Sequence, residues 1–273
     1  MSATHQALGR WPNAPLALVL AQVRFEPDPA RAPAQVAERI QATFPSTYHQ
    51  AGVLQQTAFI VGQGTPPAMS LPSAPAGIEL RNSDSTETLR LQPDALTFTT
   101  AAYHDSKQMA LQWRSFMDVL CAHRELRVMR LGLRYVDFII PSAAHTPEDY
   151  FAGNLGRSPD LLGEQSAISF CLHDYPRPDG GHLRVQYARG YGPPSLPADL
   201  QGSILPPPSL TTSNGTDVTA VLDMDRWCPV NRALNAEGIA LEIRTLREDI
   251  ATSFRTIMTD LAYTEWTIPP EVR

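Results

Sequence analysis

Lysine is all but missing from this chain. Lys107 is the only one, and every other cationic side chain apart from histidine is an arginine. Two readings fit that bias: forked guanidinium donors chosen for phosphate recognition, or a GC-rich genome whose codons favour Arg, Ala and Pro. Cysteine is scarce as well. Cys121, Cys171 and Cys228 lie far apart with no C-x-x-C pair, which excludes a disulfide framework and suits free thiols in a reducing compartment. No apolar run approaches the roughly 20 residues that span a bilayer. The first residues, MSATHQALGRWPNAPL, lack a basic stretch followed by an apolar one, so no signal peptide is expected and a cytoplasmic location is.

An excess of positive charge is also lacking. The formal charge is −6, which argues against attraction to nucleic acid or anionic lipid. No H-E-x-x-H, G-x-S-x-G, P-loop or dinucleotide fingerprint occurs. No catalytic residue, metal ligand set or cofactor is therefore expected. Asn214-Gly215-Thr216 matches a glycosylation sequon, an accidental match in a cytoplasmic protein.

What is present reads as alternating strands and helices. Leu16 to Phe25 is a nearly continuous apolar run between prolines, as a strand buried on both faces requires. Pro33 opens a helix carrying Val36, Ala37, Ile40 and Phe44, and Pro45 stops it. Val53 to Val61 is a strand, and Gly64 to Ala76, with four prolines, a loop that cannot be a central strand. Ile78–Arg81, Thr86–Leu91 and Ala95–Ala102 follow as a meander. Asp105 or Ser106 then caps a helix with a stripe of Met109, Trp113, Phe116, Met117, Leu120 and Cys121, turning Gln108, Gln112, Ser115 and Asp118 away. Arg124 and Arg127 suit its C-terminal end.

From Leu131 the period becomes that of a strand. Arg130, Gly132, Arg134, Val136, Phe138 and Ile140 share one face; Leu131, Leu133, Tyr135, Asp137 and Ile139 share the other. A short helix near Thr146-Pro147-Glu148, a hairpin of Ser166–His173 and His182–Arg189, and a proline-rich excursion over 192–215 come next. A strand over Asp217–Asp223 and a long helix over Glu237–Leu261 close the chain, with Trp266 folding back. The sum predicts an α+β protein of two similar halves, 1–125 and 126–273. Each half is expected to be a curved antiparallel sheet packed by a long helix, the two forming one globular unit.

Three patches carry a resemblance to a known family: Asn13-Ala14-Pro15-Leu16 with Val23-Arg24-Phe25, then Arg130 to Asp137, then the long helix with Phe254 leading to Thr264 and Trp266. Together they resemble a sporadically distributed bacterial family of unknown function, whose patchy occurrence implies mobile or defence-associated operons. Members often place an amide where Asp137 stands.

Four features point to chemistry, each with a plainer reading. Arg134, with Arg24 and Asp137, forms a wall for a small anionic ligand in a cleft between the halves, or Arg134 makes an internal salt bridge. Asp223 and Asp225 share a divalent cation, or form a polar strand end. His173 and Asp174 point to opposite faces of a strand and cannot act side by side, and His104-Asp105 reads as a helix cap. The proline-rich loops 64–76 and 193–208 dock a protein partner, or connect. The expected function is binding, as an interaction or sensor component; the alternative is a ligand-binding domain or enzyme with an anionic small-molecule substrate.

Overall fold

A computed structural model of the chain describes Trp11 to Thr267, apart from residues 12, 59–70, 123, 143, 154, 156–165, 167, 203, 208–209, 212, 214 and 216. In chain order the strands are β1 (Leu16–Phe25), β2 (Gln50–Ala58), β3 (Leu71–Arg81), β4 (Glu87–Gln92), β5 (Ala95–Thr100), β6 (Leu126–Ile139), β7 (Ser169–Pro176), β8 (His182–Tyr191) and β9 (Val218–Leu234). The helices are α1 (Pro33–Thr43), α2 (Ser106–Leu120), α3 (Ala236–Ile257) and α4 (Asp260–Thr267), with 3-10 turns at Pro29–Arg31 and Pro147–Tyr150. All nine strands join one antiparallel sheet in the order β2-β3-β4-β5-β1-β6-β9-β8-β7. The mixed α+β class is therefore as expected, in a single continuous sheet crossing the position where the halves were to meet.

The centre of the sheet is β1 against β6 and β6 against β9. Strict alternation sorts their side chains. Val19, Ala21 and Val23 of β1, Leu131 and Leu133 of β6, and Leu222 and Met224 of β9 join the core under the helices. The helical stripe of α2, Met109, Trp113, Phe116, Met117 and Leu120, is buried there, and Asp105 caps α2 by accepting from the Gln108 amide at 2.8 Å. Gln112, expected to face water, is half-buried and donates to Glu87 Oε2 at 3.0 Å. The opposite face of the sheet carries Leu18, Val136 and Phe138, covered by Leu196, Leu200 and Ile204. The excursion over 192–215 is thus no loose connection: part of it seals a second core.

Several boundaries fall elsewhere than the pattern predicts. β6 starts at Leu126, so Arg127 belongs to a strand and not to the end of a helix. β3 starts at Leu71, inside the expected proline-rich loop; Gly64 to Ser70 lies outside the described residues. Pro72 and Pro75 are tolerated because that part of β3 pairs with β2 alone, and β4 joins only at Ile78. The register against β2 is irregular there, between Leu54 and Thr57, as prolines near a sheet edge require. β9 continues to Leu234, so Asp223 and Asp225 sit mid-strand and not at a strand end.

The expected long C-terminal helix is two helices. Met258 leaves helical geometry and bridges Phe151, while Ala152 N–H donates to Ile257 O at 2.7 Å and Thr259 N–H to Tyr150 O at 3.1 Å. The bend lets Trp266 fold back as expected. Its ring stacks on Phe254 at 5.9 Å and on Tyr150 at 5.5 Å. Arg226 fastens α3 to the sheet from below, its Nε donating to Asp249 at 2.7 Å and its other nitrogens reaching Asp179 at 2.5 Å and the Trp227 carbonyl. Among the described residues, no helix is long and apolar enough to cross a membrane.

Truncating a large buried aromatic removes transfer energy and leaves a cavity, about 3–5 kcal/mol together. Trp266→Ala is expected to lower the Tm by roughly 10 °C, read by thermal denaturation followed by circular dichroism, and Phe254→Leu by less.

Candidate functional site

Alternation on β6 aims Tyr135 and Asp137 to the helix side, near the end of the strand. Five separate stretches close around them: Trp11 with 13–16 ahead of and into β1, the 101–106 connector into α2, Met224 of β9, the second half of α3, and Pro207 and Leu210 of the excursion. They line a cavity of about 660 Å³ that is open to solvent on one side. The 11–16 wall is held in place by backbone and side-chain bonds. Asn13 N–H donates to the Trp266 carbonyl at 3.2 Å, its side-chain amide to the Glu265 carbonyl at 3.2 Å, and Phe138 N–H to the Pro15 carbonyl at 2.7 Å. Trp11 meanwhile packs on Phe254 with centroids 6.0 Å apart. The wall is thus an extension of the aromatic cluster around Trp266.

Asp137 is the unusual group. Three acidic residues are buried among the described residues, Asp137, Glu148 and Asp223. Glu148 lies 3.4 Å from Arg189 Nε and accepts from the Tyr187 hydroxyl at 2.9 Å. Asp223 accepts two bonds from Arg134, at 2.8 and 2.7 Å. Asp137, only 5% exposed, has no hydrogen bond or ion pair among the described residues. Burial pushes its carboxyl up to about 8, with the Asp223 carboxylate on the neighbouring strand adding to it. Near neutrality it is mostly a neutral acid, able both to donate and to accept.

Its neighbours add two more polar groups. The Tyr135 hydroxyl is buried without a well-formed hydrogen bond, although the Tyr103 ring lies 6.1 Å away. Burial raises that phenol well above its usual range, and Tyr103 raises it further. Arg247 of α3 is half-buried on the same lining. Apolar and aromatic walls with a few convergent polar groups are the usual make-up of a small-molecule site.

The three residues expected to line one cleft do not meet. Arg24 pairs with Asp94 and is half-exposed. It lies four positions along β1 from Leu20, the register partner of Arg134, roughly 13 Å at strand rise. Arg134 points to the helix-free face and lines a second cavity of about 780 Å³ under residues 193–201. There it holds Asp223 and also Asp199, at 2.5 and 3.2 Å. The plainer reading of Arg134 as an internal salt bridge is the observed one: both edges of its guanidinium are already taken by carboxylates. Asp137 faces the opposite side. Tyr135 was legible beside it by alternation; Arg247, Tyr103 and Trp11 come from segments whose approach only the fold creates.

The metal reading of Asp223 and Asp225 finds no third ligand. Among the described residues, no group of three or more His, Cys, Asp and Glu side chains could hold a metal ion. Asp174, which cannot work with His173, pairs across the hairpin with His182 Nδ1 at 2.8 Å, and that bond holds its carboxyl below the usual range.

No protein-family model matches this chain and no curated protein is similar to it. Among solved structures, the chain is similar to the rolling circle replication initiator protein from Geobacillus stearothermophilus at 10% identity. The TM-score is 0.28, over 89% of this chain and 84% of that one, and so distant a likeness carries no argument.

Asp137 ties stability to pH. In the unfolded chain its carboxyl titrates near 3.8, and in the fold at about 8. Between those values the unfolded state binds fewer protons, so stability is full below the lower one and falls as pH rises to the upper one. Asp137→Asn removes this slope. Its Tm is expected to gain on the wild type by on the order of 10 °C between pH 5 and 8, as measured by calorimetry at each pH; parallel curves would refute the assignment.

Proposed function

We propose that this protein acts by binding a small organic molecule in the cavity between the β1–β6 end of the sheet, α2 and α3. It is a ligand receptor or sensor component, and the resemblance to a sporadically distributed bacterial family suggests a cytoplasmic role beside the products of a mobile or defence-associated operon. The observation that carries this is Asp137. A buried carboxyl without a partner is unfavourable, and here it opens on a cavity of about 660 Å³. The anionic-substrate alternative has its support in Arg247, the one arginine among the lining residues, and no longer in Arg24 or Arg134.

A protein partner is the second reading. Ile168, Phe170 and Leu172 are exposed along and just before β7, the outermost described strand on its side of the sheet. A sensor needs such a surface to pass on occupancy of its cavity. We also read 1–125 and 126–273 as a duplicated unit. The strand order supports it: each half places its first strand at the centre and its last strand next, then counts down to the edge, as β1-β5-β4-β3-β2 and β6-β9-β8-β7.

The test is thermal-shift screening of the full chain against nucleobases, amines, amidines, carboxylic acids and sugars, beside Ala251→Trp. That substitution puts an indole into the cavity from a half-buried position on α3. At least one compound is expected to raise the wild-type Tm by several degrees at saturation, a shift of about 2.7 kcal/mol at a hundredfold excess over Kd, and to lose that effect in the variant. A panel without hits, or hits indifferent to Ala251→Trp, would sink the proposal.

A further inference from the structure

Resting on that ligand-binding reading, we infer that the cavity takes a planar ligand presenting two N–H donors from one carbon, an amidine, guanidine or 2-amino heterocycle, with that edge against Asp137. A carboxylate offers two oxygens in one plane, and a forked N–C–N edge meets both in parallel hydrogen bonds. The other two acids buried among the described residues each have a donor inside the protein, and for one of them it is such a fork. Asp223 receives the forked guanidinium of Arg134, and Glu148 has Arg189 and the Tyr187 hydroxyl. Asp137, on the strand beside Asp223 in the same sheet, has no such donor among the described residues and borders a cavity instead.

The flat shape follows from the walls. Trp11, Tyr103 and Phe254 line the cavity with Leu16 and Ile250, surfaces suited to the faces of a ring. The positive charge comes from the ligand because the protein brings none to this carboxyl. Arg247 acts on the Tyr135 phenol, whereas only burial and the Asp223 carboxylate act on Asp137. The remaining titratable groups on the lining are Tyr103, His104 and Asp105 of the connector into α2.

A cationic edge pairs with the ionised carboxyl, so binding releases the proton that Asp137 holds when the cavity is empty. Titration calorimetry of the full chain with benzamidine, 2-aminobenzimidazole, benzamide and benzoate reads this directly. Benzamidine or 2-aminobenzimidazole is expected to bind at least about tenfold more tightly than benzamide and benzoate, the usual worth of a charge-assisted bond. Benzamidine affinity should rise about tenfold per pH unit from pH 6 to 7, with proton release seen as a buffer-dependent enthalpy. Asp137→Asn should lower it at least about tenfold. Benzoate or benzamide binding as well as the amidines, no binding of either amidine, or an amidine affinity flat from pH 6 to 8 would overturn the inference. The pH series uses the wild type alone and decides even if the Asn variant does not fold. Should a different class bind in a manner lost in Ala251→Trp, the amidine class fails while the receptor reading stands.

Discussion

The sheet depends on β6 being paired on both edges while its two faces meet different environments. β1 and β9 take up its backbone polar groups over nearly its whole length. Its side chains are then forced into two sets: an apolar one under α2 and α3, and one with Arg130 and Arg134 on the helix-free face. A slip of one residue would exchange the sets and drive two guanidinium groups under the helices. The register is therefore fixed by charge as firmly as by apolar burial. The shift against β9, between Val128 and Arg130, falls where β8 no longer pairs with β9; against β1 the register shifts at the same place and again between Leu16 and Leu18.

Arginine's predominance acquires a structural use in this setting. Arg134 spans Asp223 and Asp199, Arg226 spans Asp249 and Asp179, and Arg31 donates to the Leu120 and Arg124 carbonyls at the end of α2 while pairing with Asp28. Each links elements distant in sequence through several donors in one plane. An ammonium group would act as a point charge and leave some of these acceptors short. A codon bias would account for the abundance of arginine and not for these multidentate placements.

Much of the fold was readable in local pattern. The α2 stripe, the Asp105 cap, β1 and the two faces of β6 follow from spacing alone, because each depends on residues within one element. What was missed depends on contacts between elements. Asp223 and Asp225 look like the end of a strand, since two carboxylates in an apolar run are unfavourable until a neighbouring arginine answers them. Met258 looks helical until Phe151 offers its backbone. Pro72 and Pro75 look incompatible with a sheet until β4 proves too short to reach them.

The cavity was the least legible feature for the same reason. Its lining is drawn from five stretches, none of which carries a motif. Asp137 was noticed as an acid in an apolar strand, but its significance lies in a comparison that sequence does not permit. Among the described residues three carboxyls are buried, two have partners, and the third borders a cavity. A carboxyl that had merely been tolerated in the core would be expected to recruit a nearby donor, as Glu148 does with the Tyr187 hydroxyl. The Tyr135 hydroxyl, two positions back on the same face of β6, is itself without a well-formed bond. Asp137 and Tyr135 thus place two buried polar groups, two positions apart on one strand face, on the lining of one cavity.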